Sequence, residues 1–387
     1  KKKIGETEYG IGWIPLGGYV KISGMIDESM DTEQLKQPAQ PWEFRSKPAW
    51  QRLIIMLGGV VVNFILGILI YIMITFVWGI DFVQPDGVKE GFAVHESFEE
   101  YGFKNGDKIT KFNGETPLDV TDVNKHLFLR DLTSIEVIHD NGTIETITIP
   151  ENIGDVMWEN GVMKPFSPII PPVIGTVSAD SPAENAGLKV GDKIVSMNGV
   201  SINYWHELTS TIVSSTDEIA IIVERNGITE TITVKPGEDK TIGVAPSSSD
   251  IVIIQHKDYT FLESISKGNS LAIWTLKDYI SQFKYVFTKK GATSIGGFIA
   301  IGNIFPATWS WSSFWSITAF LSIMLGFMNL LPIPALDGGH VVFTLYEMIT
   351  GRKPNDKFLE YAQITGFLIL IALLLLANGN DIVKLFS

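Results

Sequence analysis

The chain has 387 residues, of which 45% are apolar, and its mean hydropathy of +0.20 is higher than is usual for a soluble protein. It contains no cysteine, so disulfide bonds and thiolate metal sites are excluded, and any metal has to be bound by His, Asp or Glu. A formal net charge of −13 argues against a nucleic-acid partner, because phosphate contacts need clustered Lys and Arg. The sequence opens on Lys1 rather than Met, so we expect it to begin inside a longer protein.

Three apolar segments are long enough to cross a bilayer, which takes about 20 helical residues. The predicted spans cover residues 52–80, 311–350 and 355–379. The second span is interrupted by Pro332 and Pro334, which predicts a broken helix. The fold class that follows is a polytopic α-helical membrane protein.

Basic residues near the ends of the spans predict the orientation of the chain. They precede the first span and lie between the second and third, so we expect both of those segments to be cytoplasmic. The segment between the first two spans is then extracytoplasmic. The basic residues are Lys1, Lys2, Lys3, Arg45, Lys47, Arg52, Arg352, Lys353 and Lys357.

An internal repeat lies within that large segment. Residues 102–114 match residues 187–199, and both copies place Gly-Asp before an alternating apolar strand that ends in Asn-Gly, a type I′ turn signal. A helical stretch and two further strands follow in each copy. The repeat predicts two small α+β domains, at 81–165 and 166–246.

The second copy carries Ser181-Pro-Ala-Glu-Asn-Ala-Gly-Leu188 ahead of its Gly-Asp and resembles bacterial PDZ domains. The resemblance implies capture of extended peptides or C termini as an added strand, in a groove lined by Ile174, Gly175 and Val177. The first copy lacks the Ser-Pro-Ala stretch. The alternative is that both domains only limit access and bind no peptide.

The connector at 247–310 contains apolar residues at helical spacing, which predicts an amphipathic helix. Such a helix could lie at the membrane surface, or it could pack on the second PDZ-like copy. The residues are Leu276, Tyr279, Ile280, Phe283 and Val286.

Asp337 is an ionisable residue inside a predicted span, a costly position that usually serves a function and needs a partner such as a cation. Residues 329–340 resemble the Asn-x-x-Pro-x-x-x-x-Asp-Gly signature of site-2 proteases, which are intramembrane zinc metalloproteases. The resemblance implies that Asp337 is a zinc ligand and that Asn329 is catalytic, holding the substrate backbone or stabilising the oxyanion. The alternatives are helix capping by Asp337 and interhelical hydrogen bonding by Asn329, and we expect His340 to be structural.

A zinc hydrolase needs three protein ligands and a general base, commonly His-Glu-x-x-His plus a distant carboxylate. None of the histidines belongs to such a motif; they are His95, His126, His139, His206, His256 and His340. The resemblance implies one Zn²⁺ per protein, with two ligands and the base on a helix upstream of Lys1. We therefore expect the chain by itself to be inactive.

The cytoplasmic-side segment 1–51 contains paired glycines among alternating apolar residues. It resembles the family's re-entrant β-hairpin, near 11–24, which would bind the unwound substrate as an added strand through Gly17, Gly18, Tyr19 and Val20. An ordinary cytoplasmic hairpin is the alternative. On the first span, three residues at four-residue spacing match a family motif that close helix packing also explains; they are Gly59, Asn63 and Gly67.

The order of these segments resembles the bacterial regulator of sigma-E protease group over essentially the whole chain. The implied function is regulated cleavage of single-span membrane proteins, including anti-sigma factors and remnant signal peptides, in the inner membrane. Expected partners are these substrates, membrane lipid and peptides at the periplasmic PDZ domains. The alternatives are a catalytically inactive PDZ-containing adaptor and, less consistent with the lack of inverted repeats, a transporter.

Overall fold

The structure is a computed structural model that describes residues 2–5, 7–11, 22–24, 38–215, 217–247 and 251–386. The chain forms two compact units. The helical unit comprises Lys1–Val77 and Thr260–Ser387, and the strand-rich unit comprises Trp78–Tyr259. We describe each unit by itself.

The elements are numbered in chain order. The first are β1 (Lys2–Ile4), β2 (Thr7–Tyr9) and α1 (Ala49–Trp78). The strand-rich unit continues with β3 (Ile80–Phe82), β4 (Phe92–Val94), α2 (Glu96–Glu99), β5 (Lys108–Phe112), α3 (Val123–Leu129), β6 (Ser134–Ile138), β7 (Ile144–Thr148), α4 (Ile153–Asn160) and β8 (Phe166–Pro168). Its second half has β9 (Ile174–Val177), α5 (Pro182–Ala186), β10 (Lys193–Met197), β11 (Val200–Ser201), α6 (Trp205–Ser214), β12 (Ile219–Arg225), β13 (Ile228–Val234), β14 (Val244–Pro246) and β15 (Gln255–Lys257). The remaining helices are α7 (Phe261–Phe283), α8 (Lys289–Ser294), α9 (Phe298–Gly302), α10 (Trp311–Leu330), α11 (Asp337–Thr350) and α12 (Asp356–Phe386).

Among the described residues, three helices are long and apolar enough to cross a membrane: α1, α10 and most of α12. This agrees with the three spans predicted from the sequence. The predicted broken helix is present as α10 and α11. Small residues let α1 and α10 approach closely. The Ser322 hydroxyl donates to the Asn63 carbonyl oxygen at 2.8 Å, and Ile323 packs where Gly67 has no side chain.

The strand-rich unit contains two separate hydrophobic cores, one for each copy of the repeat. We call β4 to β8 the first module and β9 to β14 the second module. The antiparallel sheet of the first module has the order β5-β6-β7, and that of the second has the order β11-β10-β12-β13. The Asn-Gly turn after β5 has positive φ at both Asn113 and Gly114, and Asn198 and Gly199 repeat this after β10. Positive φ at both positions is the conformation that a type I′ turn requires.

Each module also has a two-stranded pair, β4 with β8 and β9 with β14. Because β8 pairs with β4, the first module extends to Pro168, beyond the boundary at residue 165 that the sequence predicted. The Phe166 ring enters the first core, where it packs edge-on against Phe98 and Phe103 at centroid distances of 5.6 and 4.8 Å.

The amphipathic pattern in the connector corresponds to α7, which belongs to the helical unit. Its small residue Gly268 packs against the backbone of Ile72 in α1, and its Phe283 ring packs against Phe327 in α10. Neither alternative drawn from the sequence included these contacts with the two spans, and a position at the membrane surface stays a prediction.

Candidate metal centre and peptide-binding edges

The break between α10 and α11 presents Asp337. Residues 331–336 are not helical, and Asp337 is the first residue of α11. Pro332 and Pro334 cannot continue a helix, because proline has no N–H to donate. Ala335 has a φ of 83°, a left-handed conformation that costs free energy for a residue other than glycine. Such a conformation persists only where its surroundings hold it in place.

Close packing holds the break from two sides. A side chain at Gly338 would collide with the carbonyl oxygen of Leu331, so only glycine lets α11 begin this close to the break. On the other side, Gly366 of α12 packs directly against the carbonyl oxygen of Pro334, again with no room for a side chain. The position of Asp337 is therefore fixed by backbone contacts.

The Asp337 carboxylate is directed towards α1. Its Oδ2 lies 3.9 Å from the point that a Cβ at Gly59 would occupy. Further along α11, Glu347 accepts a hydrogen bond from Arg52 of α1 at 2.5 Å, an ion pair that holds the two helices together. No side-chain hydrogen bond caps the start of α11, so the capping role considered for Asp337 has no support here.

The described residues contain one candidate zinc ligand, Asp337, but not a complete set. Asn329 is half-buried next to the C-terminal end of α10, and His340 lies one turn after Asp337. No group of three or more His, Asp or Glu suited to a metal occurs in the part of the chain that the structure describes. A carboxylate with no hydrogen-bond partner among the described residues fits a zinc ligand, but a hydrolytic zinc site takes three protein ligands. The predicted hairpin residues Gly17, Gly18, Tyr19 and Val20 lie outside the described residues.

The predicted groove residues of the second module lie on β9, which pairs along one edge and is hydrogen-bonded at Ile174 on the other. One edge pairs with β14. On the other, the Ile174 N–H donates to the Asp192 carbonyl oxygen at 2.9 Å, and the Gly191 N–H donates to the Ile174 carbonyl oxygen at 2.8 Å. Gly175 packs tightly against the backbone of Ser247, and Val177 pairs with Val244. A peptide therefore cannot pair with β9 along its β14 side or at Ile174, and we consider the neighbouring strand β14 instead.

The outer edge of β14 can receive a strand. The Ser178 N–H donates to the Gly243 carbonyl oxygen at 2.8 Å, so the next pair, Val177 and Val244, is not hydrogen-bonded. The N–H and C=O of Val244 then point away from β9. Neither group has a hydrogen-bond partner among the described residues.

The matching strand edge of the first module is occupied by a side chain from the same module. Phe166 of β8 corresponds to Val244, because the His95 N–H donates to the Pro165 carbonyl oxygen and Phe166 stands opposite Val94. Asn124 of α3 donates to the Phe166 carbonyl oxygen at 2.7 Å and accepts from the Phe166 N–H at 3.0 Å. Sequence reasoning missed Asn124, since a single polar residue on a short helix carries no signal of its own.

Each module also pairs the buried aspartate of its Gly-Asp motif with a basic side chain. In the first, His139 Nδ1 lies 2.6 Å from Asp107 Oδ1, and its Nε2 lies 3.0 Å from Glu145 Oε2. In the second, Arg225 donates from Nε and Nη2 to the two Asp192 oxygens at 2.6 and 2.7 Å. Its Nη1 donates to Glu230 at 3.0 Å.

These contacts shift the pKa values of the paired groups. The hydrogen bond to Glu145, followed by the one to Asp107, raises the pKa of His139 above its ordinary value, because both carboxylates favour the imidazolium. Burial alone would raise the pKa of Asp192. The hydrogen bonds from Arg225 and from the Lys189 N–H outweigh burial and hold that pKa below its ordinary value.

Comparison with known proteins identifies relatives over nearly the whole chain. The family model of Peptidase family M50 matches residues 1–373. A Vibrio cholerae protein named "Putative zinc metalloprotease" is 30% identical over 99% of this chain and 89% of its own length. The "Regulator of sigma E protease" of Haemophilus influenzae is 30% identical over 98% of this chain and 88% of its own length.

One solved structure resembles a small part of the chain. It is the PDZ domain of the SdrC-like protein from Listeria monocytogenes, 23% identical, with a TM-score of 0.18. The match covers 19% of this chain and 84% of that domain. The family match and the two relatives extend over both units, and the chain belongs to peptidase family M50.

Proposed function

We propose that this chain is part of an intramembrane zinc endopeptidase that cleaves single-span membrane proteins, with Asp337 as one zinc ligand. One observation carries the proposal: a carboxylate without a capping role is held by a rigid break between two membrane helices and directed at Gly59. Membership of a metalloprotease family supports the choice of metal.

The remaining ligands and the base are proposed to come from a His-Glu-x-x-His segment that this sequence does not include. A bound zinc would act as a Lewis acid and would lower the pKa of its water. This chain's own contribution is positional. The clamped break fixes the Asp337 oxygens, and we assign to Asn329 a hydrogen bond to the backbone of the substrate.

The proposed substrates follow the family resemblance: anti-sigma factors and remnant signal peptides, cleaved in the inner membrane. Residues 17–20 are proposed to hold the unwound substrate as an added strand, because peptide bonds inside a helix are shielded. The two modules are proposed to be periplasmic PDZ domains. Among the described residues, Asn124 occupies the outer edge of β8 in the first module and no side chain is bonded to Val244 of β14 in the second, so peptide capture is assigned to Val244 on β14 rather than to β9.

The alternative function is a membrane adaptor without catalytic activity. It is favoured by one observation, that Asp337 stands without a second candidate ligand in the part of the chain that the structure describes. In that case the second module would be the functional site and the helices would serve as an anchor.

Proteolysis by the protein made from its complete gene, in lipid nanodiscs, separates the two functions. The substrate would be a single-span test protein labelled at both ends. We expect a zinc chelator to abolish cleavage and Asp337→Asn to lower its rate by at least about 100-fold. Substitution of residues that only orient the metal ligands lowers activity by about 10–100-fold, and loss of a direct ligand should have a larger effect. Asp131→Asn, at an exposed position of the first module, is the matched control and should cleave normally. Equal cleavage by Asp337→Asn and the control would reject the metal role, and no cleavage by any variant would favour the adaptor.

A further inference from the structure

One buried polar side chain differs from all the others in the described part of the chain. Twelve polar or charged residues are buried there, and eleven of them take part in side-chain hydrogen bonds. The exception is Gln363 of α12, which is 7% exposed and forms no side-chain hydrogen bond with a described residue. A buried amide without a partner is costly, so its presence inside a membrane helix needs an explanation.

The Gln363 amide borders a gap inside the helical unit. No fully enclosed polar side-chain atom lacks a partner among the described residues, so the amide tip has to reach open space although the rest of the side chain is covered. At 100° per residue, Gln363 shares the buried face of α12 with Gly366, Ala377 and Asp381. Leu368 is exposed on the other side of the helix. The gap therefore lies on the packed side of α12 and not on the side suited to lipid.

Gln363 lies beside the break that presents Asp337. Two contacts enclose it along α12: the Phe358 ring packs on Phe343 of α11 at a centroid distance of 5.8 Å, and Gly366 packs against the carbonyl oxygen of Pro334. Gln363 is between the two, one turn before Gly366 and on the same face. Asp337, the first residue of α11, lies between Pro334 and Phe343. The same two contacts thus enclose Gln363 on α12 and Asp337 on α11.

The polar side chains around the break share a lack of partners. Asn329, Asp337 and Gln363 form no side-chain hydrogen bond with a described residue, whereas the other buried polar side chains do. The carboxylate suits a metal ion, but a carboxamide offers both an N–H donor and a C=O acceptor. A peptide backbone presents the same two groups at every residue. The chemistry at Gln363 therefore suits a peptide better than a cation.

We propose that Gln363 binds the backbone of the unwound substrate next to Asp337, donating to a peptide carbonyl oxygen and accepting from a peptide N–H. An unwound segment inside the membrane has no water to satisfy its backbone groups, so the protein has to supply partners. The inference deepens the proposed function, on which it rests for the identity of the ligand, and it adds α12 to the substrate site.

Disulfide crosslinking tests the contact without cleavage, because the sequence contains no cysteine. Protein from the complete gene, carrying Gln363→Cys, would be kept in lipid nanodiscs with a zinc chelator. It would be oxidised with single-span test proteins that carry one cysteine at successive positions of the span. The control is Thr365→Cys, an exposed position on the opposite side of α12. We expect crosslinks at one or two adjacent positions of the test protein, in yields at least about tenfold above the control, since the two cysteines point in opposite directions.

Kinetics of the zinc-loaded protein test the hydrogen bonds themselves. Gln363→Met keeps the length of the side chain and removes the amide. We expect KM to rise about tenfold, the loss of one or two hydrogen bonds, with kcat and zinc content nearly unchanged. Thr365→Val should leave KM unchanged. A purely structural role of Gln363 would alter thermal stability and not KM.

Two results would overturn the proposal: equal crosslinking of Gln363→Cys and Thr365→Cys, or an unchanged KM in Gln363→Met, which would mean that the amide faces water only. Failure of the protease proposal is distinguishable from either result. Position-specific crosslinks in a protein that cuts nothing would support the peptide contact and reject the protease. Normal cleavage by Gln363→Met, without such crosslinks, would support the protease and reject the contact.

Discussion

The two modules of the strand-rich unit share one framework and differ at two polar positions. Both bury an aspartate under a strand hairpin, but the basic side chain paired with it is His139 in the first and Arg225 in the second. Both have an outer strand that pairs on one side, β8 in the first and β14 in the second, and the Asn124 side chain is hydrogen-bonded to the outer side of β8. The apolar cores preserve the fold, while the polar differences predict that the stability of the first module changes with pH near neutrality and that of the second does not.

The largest predicted effect is on the buried aspartate of the second module. Asp192→Asn should lower the free energy of unfolding of this module by about 2–4 kcal/mol, because it breaks a buried pair held by two charge-assisted hydrogen bonds. Thermal unfolding with module-resolved hydrogen exchange would measure this. Asp239→Asn, at an exposed turn, serves as the control. A change below about 0.5 kcal/mol, the range of ordinary surface substitutions, would contradict the account.

The next prediction concerns pH. The folded-state pKa of His139 lies above its ordinary value of 6.5, so the stability from its pairs with Asp107 and Glu145 is present below pH 6.5 and is lost as pH rises through the raised pKa. Nearby Lys104 opposes this shift. Asp192 has a lowered pKa, so its contribution is lost only as pH falls below 3.8.

Raising the pH from 6 to 9 should therefore lower the melting temperature of the first module alone, by roughly 5 °C. Arg225→His should transfer this dependence to the second module, and His139→Gln should remove it from the first. If the melting temperatures of the two modules changed equally across this pH range, the predicted difference between His139 and Arg225 would be refuted.

The smallest predicted effect is local. Asn124→Ala should speed hydrogen exchange of the Phe166 amide by about fivefold to tenfold, the loss expected for one hydrogen bond. Asn105→Ala is the matched control, because its side chain accepts from the Val94 N–H at 2.8 Å in the same module and should alter Val94 instead. An unchanged Phe166 amide in Asn124→Ala would show that the edge is not closed by this side chain.

Opening that edge should also create a second peptide site. A pool of ten-residue peptides with free, apolar C termini should crosslink only near Val244 in the unmodified protein, and near Phe166 as well in Asn124→Ala. Crosslinks near Phe166 in the unmodified protein would contradict the predicted difference in peptide binding between the two modules.

Much of the architecture follows from local sequence signals. Hydropathy gave the three spans, and Pro332 and Pro334 gave the position of the break, because both effects depend on a few neighbouring residues. The Asn-Gly turns at Asn113 and Asn198 fixed the hairpin framework for the same reason. Alignment of the two copies of the repeat also matches His139 with Arg225, but only if the hairpin turn of the first copy is allowed one extra residue.

Three features depended on contacts between distant segments. The strand after residue 241 returns to pair with β9, so one edge of the strand that was expected to form the groove, Ile174 to Val177, is already paired. The amphipathic pattern of α7 does not predict which elements the helix packs against. Its contact with α1 depends on Gly268, which packs closely against Ile72. The surroundings of Asp337 depend on Gly59 and Gly366, which lie far away in the sequence.

The metal content of protein made from the complete gene tests the central claim most directly. Purified protein, Asn329→Ala and Asp337→Asn would be equilibrated with the same low concentration of free zinc and assayed by elemental analysis. We predict about one zinc per chain in the first two and at least a tenfold loss of affinity in Asp337→Asn, since a zinc hydrolase binds its metal through three protein ligands. Full zinc occupancy in Asp337→Asn, with unchanged affinity, would contradict the assignment of Asp337 as a ligand.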